Sequence, residues 1–346
     1  MYIICAGMYR SCSTWQYQVA SHLIEQHLGG QRLGFVKGTE FAERCPRQAE
    51  PATWHTLKTH DNHPDFAPAL AAGYARALYS FRDLRDVTYS LMYKHAASFE
   101  DMIDKYQLGL ISLENDRFWR SQPGVLCQRY ECLMADPVTG VEEIAAHLGI
   151  ELASGEASRL AAEYSLAANR ERTSQLAHQL SEKRVYLNDP ANALIFDQHS
   201  QLHWNHIRQG QNGSWRELAT PPQLARMNEL FGAWLIEWGY ERCDAWAAPA
   251  VAHLCREVEA SRQAVEEFRQ RFHDALAEAH ASYTHQLAES RYTIEHLLGR
   301  VETLERRLAA LEALSQELGV ARRLHRLASS HPRITRTVKT IFRMSA

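Results

Sequence analysis

Apolar residues in the first 245 or so positions gather into short runs separated by longer amphipathic stretches. Tyr2–Ala6 is apolar throughout and stops at Gly7, the mark of a strand buried on both faces. A helical spacing follows from about Thr14 to Leu28 and ends at Gly29-Gly30, residues that stop helices. Trp54–Thr59 and Ala77–Phe81 predict further strands, the second running straight into a helix near Asp86. Gly124–Tyr130 predicts another, followed after Asp136-Pro137 by a helix from Val141 to Leu148. Residues 153–183 are expected to be helical, 184–220 an irregular polar loop, and Gln223–Trp238 an amphipathic helix closing the domain. Strands alternating with helices predict an α/β fold over residues 1–245: three layers, α/β/α, around a mostly parallel sheet.

The pattern changes after Pro249. From Val251 to Leu318 there is no proline and a single glycine, Gly299. Val251, Leu254, Val258, Val265, Phe268 and Phe272 keep a 3-4 spacing, as do Ile294, Leu297, Val301, Leu304, Leu308 and Leu311. The register shifts near Leu276–Leu287. Residues 250–318 therefore predict a coiled-coil seam with a stutter, or a long helix packed back on its own domain. A coiled coil between chains would make the protein a homo-oligomer. Residues 319–346 contain no acid and seven Arg or Lys. Ile334, Val338, Ile341 and Phe342 would share a face if this end were helical. Such a tail either lies on an anionic membrane surface or is a solvated, frayed end.

Composition narrows the function. The net charge is -3, which argues against a general nucleic-acid binder. No apolar run is long enough to span a bilayer, and the first residues have no basic, then long apolar, stretch of the kind that directs secretion. Seven cysteines without a CxxC pair are expected to be reduced thiols in a cytoplasmic protein.

Three segments carry candidate chemistry. Gly7-Met8-Tyr9-Arg10-Ser11-Cys12-Ser13-Thr14-Trp15 joins the first strand to the first helix. A turn there presents backbone N–H groups at a helix N-terminus, with hydroxyls and the Arg10 charge close by, a setting for an anion or simply a helix cap. It lacks the Lys of GxxxxGK[ST], which disfavours a nucleoside-triphosphate kinase. Arg82-Asp83-Leu84-Arg85-Asp86-Val87-Thr88-Tyr89-Ser90 follows another strand, where Arg82 and Ser90 could converge on a phosphate, or the charges could only pair at a helix start. Lys58-Thr59-His60 ends a third strand, on the sheet edge where α/β proteins bind ligands. An imidazole there suits general-base chemistry near neutral pH. His203 and His206 could share a helical face, but no carboxylate at metal-site spacing accompanies them, so no metal site is expected.

Together these segments resemble the cytosolic sulfotransferase family, which uses 3′-phosphoadenosine 5′-phosphosulfate (PAPS). Tyr9 through Trp15 is similar to the family's PKSGTTW loop, Lys58-Thr59-His60 matches its KTH, and Arg82, Asp86-Val87 and Ser90 match RNxxDVxxS. Tyr130-Glu131-Cys132-Leu133 with Pro137 resembles YEDLxxxP, and Arg208-Gln209-Gly210 with Gly213-Ser214-Trp215 resembles RKGxxGDW. The resemblance implies that Arg10, Ser11, Cys12, Ser13 and Thr14 cradle the 5′-phosphosulfate. Trp15 would stack on adenine with Tyr130 along the base, and Arg82, Ser90, Arg208, Gln209 and Gly210 would hold the 3′-phosphate. It further implies that His60 deprotonates an acceptor hydroxyl, with Lys58 and Arg10 steadying charge on the sulfuryl group. The acceptor could be a saccharide or lipid-linked glycan.

Arg10 stands where the family usually has Lys, Cys12 where it often has Gly, and Gln209 where it has Lys. Arg10 can act only electrostatically, Cys12 restricts positive φ, and Gln209 removes a charge. The competing reading is a nucleotide-binding coiled-coil scaffold whose sulfotransferase-like domain is inactive.

Overall fold

The apolar run at the start of the chain becomes β1 (Tyr2–Gly7), the middle strand of a five-stranded sheet and buried along its whole length. With β2 (Gln31–Phe35), β3 (His55–Lys58), β4 (Ala75–Phe81) and β5 (Leu126–Arg129), the order is β2-β3-β1-β4-β5 and every pairing is parallel. This computed structural model describes residues 1–47, 53–187, 189–192, 194–207, 210–281 and 287–317. The first ten helices are α1 (Ser13–Leu28), α2 (Phe41–Arg44), α3 (Phe66–Ala71), α4 (Leu84–His95), α5 (Leu108–Ser121), α6 (Tyr130–Ala135), α7 (Pro137–Leu148), α8 (Glu156–Glu163), α9 (Leu166–Glu182) and α10 (Trp215–Leu218).

Strand side chains alternate between faces. Ile3 and Cys5 pack with Tyr17, Leu23 and Ile24 of α1 and with Val141 and Ile144 of α7. Tyr2, of opposite parity, meets Phe41, which packs on Phe66 and through it on Trp119 of α5. These are the expected three layers. The chain leaves β1 toward the β2 edge and leaves β4 toward β5. The crevice at the carboxyl ends of β1 and β4 is thus the switch point where α/β sheets bind ligands.

Two local features escape the sequence pattern. β2 is an edge strand with only Leu33 and Phe35 as large apolar residues, and Gly34 (φ 73°) shifts its register, so its alternation is short and broken. The 153–183 helical stretch is two helices, because the Ser165 side chain accepts a hydrogen bond from the Ala168 N–H and starts α9 afresh.

The chain parts into two compact units, Met1–Leu218 and Ala219–Ala346. The second holds α11 (Pro221–Glu237), α12 (Ala248–Ala281) and α13 (Leu287–Glu317). So α11, read from the sequence as the end of the α/β domain, groups with the C-terminal helices. Thr220 and Gln223 form a capping box at its start. Arg262 pairs with Glu312 (2.8 Å) and Arg269 with Glu305 (3.0 Å), so α12 and α13 run antiparallel within one chain. Val265 and Phe268, two residues of the predicted seam, are buried. The basic tail lies outside the described residues, among which no helix is long and apolar enough to cross a membrane.

Candidate active site

The β1–α1 loop bends through two non-glycine residues in the left-handed region, Arg10 (φ 62°) and Cys12 (φ 72°). Each costs about 1–2 kcal/mol. Gly7 admits the loop to the sheet, since a Cβ there would lie 2.3 Å from Ser80 Oγ of β4. Ser11 secures it: its Oγ lies 2.7 Å from the Met8 carbonyl, 3.0 Å from the Ser80 carbonyl and 2.9 Å from Ser80 Oγ. The Ser11 hydroxyl is therefore engaged in the fold and not offered to a ligand. The loop delivers α1 with no side-chain cap and no acid in its first turn, leaving its N-terminal dipole open to an anion.

A cavity of about 300 Å³ opens at this point. Its lining includes the polar side chains of Arg10, Thr14, Arg82 and Ser90 and the largely apolar ones of Trp15, Leu133, Met134 and Pro137. Arg10 Nε donates to Ser90 Oγ (2.9 Å). The Arg82 guanidinium lies 4.0 Å over the Tyr130 ring and donates to the Arg10 and Gln211 carbonyls (3.3 and 2.6 Å). Asp86, 3.6 Å from Arg82, accepts from the Gly213 N–H (2.7 Å), Ser214 hydroxyl (3.1 Å) and Trp215 N–H (3.3 Å), fastening the Gly210–Trp215 loop to α4. That loop needs Gly210: its φ is 69°, and a Cβ would meet Leu166 at 2.6 Å. Asp83 caps α4 and pairs with Arg85, so the charges after β4 both pair at the helix start and shape the cavity.

Arg10, Cys12, Thr14, Trp15, Arg82, Ser90, Tyr130 and Gly210 thus share one wall. Ser11 and Ser13 are buried behind it. Arg208 and Gln209 lie outside the described residues. The sequence did not point to Tyr164, Leu166, Asn169 or Leu202, which also line the cavity, and it weighed His206, another lining residue, only as a metal ligand. The break between α8 and α9 places the first three, and only the Ser165 capping position hints at it.

The Lys58-Thr59-His60 segment stands off this wall, at the end of β3. His60 Nδ1 lies 2.8 Å from the Gly7 carbonyl, which can only accept, so Nδ1 carries the proton and Nε2 holds the lone pair. Lys58 Nζ is 2.9 Å from that Nε2. Two residues the sequence did not single out for this role position the segment: Asn115 Nδ2 donates to the His60 carbonyl (2.6 Å) and Trp119 Nε1 to the Asp61 carbonyl (3.1 Å). The Tyr9 ring packs on His60 with centroids 4.6 Å apart.

Burial and neighbouring cations shape the electrostatics. Burial, then Lys94 and Arg10, lower Lys58 to about 7. Burial and the Lys58 charge hold His60 well below its usual range, so the imidazole is neutral. Burial and Arg82 lower Arg10 to about 10. Burial pushes Cys12 up to about 12, making it an inert thiol. His206, on the cavity wall, and His203 are also kept neutral by burial and by Arg10, Lys94 and Lys58. Among the described residues no three His, Cys, Asp or Glu side chains are grouped to hold a metal.

Solved structures with related chain traces include retinol dehydratase in complex with retinol and PAP (TM-score 0.48, 17% identity, 68% of this chain and 81% of that one). A mouse sulfotransferase, SULT7A1, complexed with PAP has the same TM-score and identity over 72% of this chain and 88% of its own. Retinol dehydratase with androsterone and inactive cofactor PAP gives 0.45 and 18% over 68% and 80%. No curated protein matches in sequence. The family model described as the sulfotransferase domain matches residues 2–239, a stretch that takes in the sheet, both sheet-edge loops and the Gly210–Trp215 loop, and the chain accordingly belongs to the sulfotransferase family.

Proposed function

We propose that the chain transfers the sulfuryl group of PAPS to an acceptor hydroxyl, with His60 as general base. The carrying observation is that three buried polar atoms of residues lining the cavity have no protein partner: Arg10 Nη1, Thr14 Oγ1 and Arg82 Nε. Unpartnered buried donors are costly and rare, and an anionic ligand satisfies all three. The chemistry fits a donor with phosphates at one end and a flat base at the other. Arg10, Thr14 and the open α1 N-terminus suit the 5′-phosphosulfate, Arg82 and Ser90 the 3′-phosphate, and Trp15 with Leu133 and Pro137 the adenine.

Sulfuryl transfer, like phosphoryl transfer, depends on alignment and charge stabilisation more than on covalent help from the protein. Arg10 and Lys58 supply the charge. His60 keeps Nδ1–H on the Gly7 carbonyl and presents Nε2 to a hydroxyl proton. For that, Lys58 must leave Nε2, and the negative charge of the sulfuryl oxygens is what draws it away. An acceptor hydroxyl, of a saccharide or another compound, would enter beside Tyr9.

Calorimetric titration with PAP, followed by incubation with labelled PAPS and a hydroxyl panel, tests this. One PAP site that Arg82→Ala weakens, and a product heavier by one sulfuryl group, are expected. No PAP binding overturns the donor assignment; binding without any transferred label favours the inactive-scaffold reading.

A further inference from the structure

Four residues lining the cavity come from segments outside the sheet: Tyr164, Leu166 and Asn169 at the break between α8 and α9, and Leu202 in the turn that begins at Asp197. One face of α1 ties both segments to the domain. Gln18, His22 and Glu25 stand at i, i+4 and i+7 of that helix. Gln18 is fully buried; its Oε1 accepts from Asn169 Nδ2 (3.1 Å) and its Nε2 donates to the Ser200 carbonyl (3.2 Å). His22 Nδ1 lies 2.9 Å from the Tyr164 hydroxyl. Glu25 pairs through both oxygens with Arg32, which donates to the His199 carbonyl (3.1 Å). Of the three, Gln18 alone holds both segments at once.

Asn169 spends its polar atoms on the same network. Its Nδ2 also donates to the Tyr164 carbonyl (3.0 Å), and its Oδ1 accepts from Arg172 Nη1 (2.9 Å). Like Ser11, it is a polar residue of the site engaged in the fold. Thr14 and Trp15, which also line the cavity, belong to the turn of α1 that precedes Gln18. The Gln18 amide therefore anchors the two outer segments about 5 Å along the axis from residues of the same cavity. A buried amide with both ends hydrogen-bonded holds such segments firmly, because breaking either bond leaves a buried polar group unsatisfied.

We propose that Gln18 and His22 are positioning residues for donor binding: they clasp the α8–α9 break and the 197–202 turn to α1 and so set the width of the cavity. Among the described residues neither lines the cavity. Gln18 acts through Asn169 and the turn that carries Leu202, and His22 acts through Tyr164. The inference rests on the donor assignment above.

The test measures PAP affinity of the full chain by calorimetry, with thermal melts of the ligand-free protein alongside. Gln18→Met keeps the bulk and removes both hydrogen bonds. PAP affinity is expected to fall about tenfold, what one or two neutral hydrogen bonds are worth. A merely structural role would lower the melting temperature and leave PAP affinity where it was. Combined with Asn169→Leu, Gln18→Met is expected to cost clearly less than the product of the two single losses, because both break one network. His22→Phe, at a partly exposed position, is expected to weaken PAP about threefold and carries the test if Gln18→Met does not fold. Unchanged PAP affinity in the folded variants, or losses that simply multiply in the double variant, overturns the clasp alone. Failure of the wild type to bind PAP overturns both the clasp and the donor assignment.

Discussion

The cavity proposed for the donor and the Lys58–His60 cluster proposed for transfer lie at the carboxyl ends of neighbouring strands but are stabilised in opposite ways. In the cavity each cation has a neutral or acidic companion: Arg82 has Tyr130, the Gln211 carbonyl and Asp86, and Arg10 has Ser90. Around His60 the charges face one another. After burial, Lys94 and Arg10 lower Lys58, and Lys58 in turn lowers His60, which stays neutral. The first region is a mould that holds its shape without a ligand. The second is held together by the backbone around it, through the Gly7 carbonyl, Asn115 and Trp119, and its charges are unbalanced until anionic substrate arrives. Binding and turnover should therefore respond to different substitutions.

The largest separation is expected for His60→Ala. Transfer should fall by roughly 10²–10⁴-fold, the usual worth of a general base, while calorimetric PAP affinity holds. A parallel loss of PAP binding would move His60 into the mould and dissolve the contrast. Arg82→Ala should do the reverse. PAP affinity should weaken by roughly 10–100-fold, the cost of a charged hydrogen bond to phosphate, with more of the rate retained at saturating donor. Unchanged affinity would remove Arg82 from the 3′-phosphate.

A pH profile sharpens the comparison further. His60 is neutral throughout the neutral range because its folded value is depressed, so activity should not drop on the mildly acidic side. Lys58 loses its proton as pH rises through about 7 in the free enzyme, so kcat/KM should decline above that pH. Lys58→Arg should flatten the decline, and an alkaline limb that persists in this variant would assign it elsewhere. The smallest effect concerns the mould's backbone. Cys12 is left-handed at φ 72°, so Cys12→Gly should be more stable than Cys12→Ala by about 1 kcal/mol in thermal melts. Equal stability would mean the loop carries no strain at that residue.

Much of this site was legible because its parts are local. The Arg10–Trp15 loop, the Lys58-Thr59-His60 strand end and the Arg82–Ser90 helix start each announce themselves within nine residues, and each follows a strand whose apolar run is plain. Ser11 shows the limit of that reading. Its hydroxyl has the right place in the loop for a ligand, yet it is consumed by Met8 and Ser80, a contact across 69 residues that no local pattern reports. β2 was lost for a related reason: an edge strand with a shifted register need not alternate cleanly.

Local order along the chain, apolar run against amphipathic spacing, was enough to determine a mostly parallel α/β sheet, the turns at its carboxyl edge and a long helical stretch at the C-terminal side. Hydrophobic periodicity is written residue by residue and survives without knowing the partner. Tertiary structure alone decided which hydroxyls remained free and where α8 and α9 part to close the cavity. It also stacked His203 on His206 and paired α12 with α13 head to tail. Those outcomes depend on distances through space, on burial and on the sum of charges around a point, quantities that no segment of sequence contains by itself.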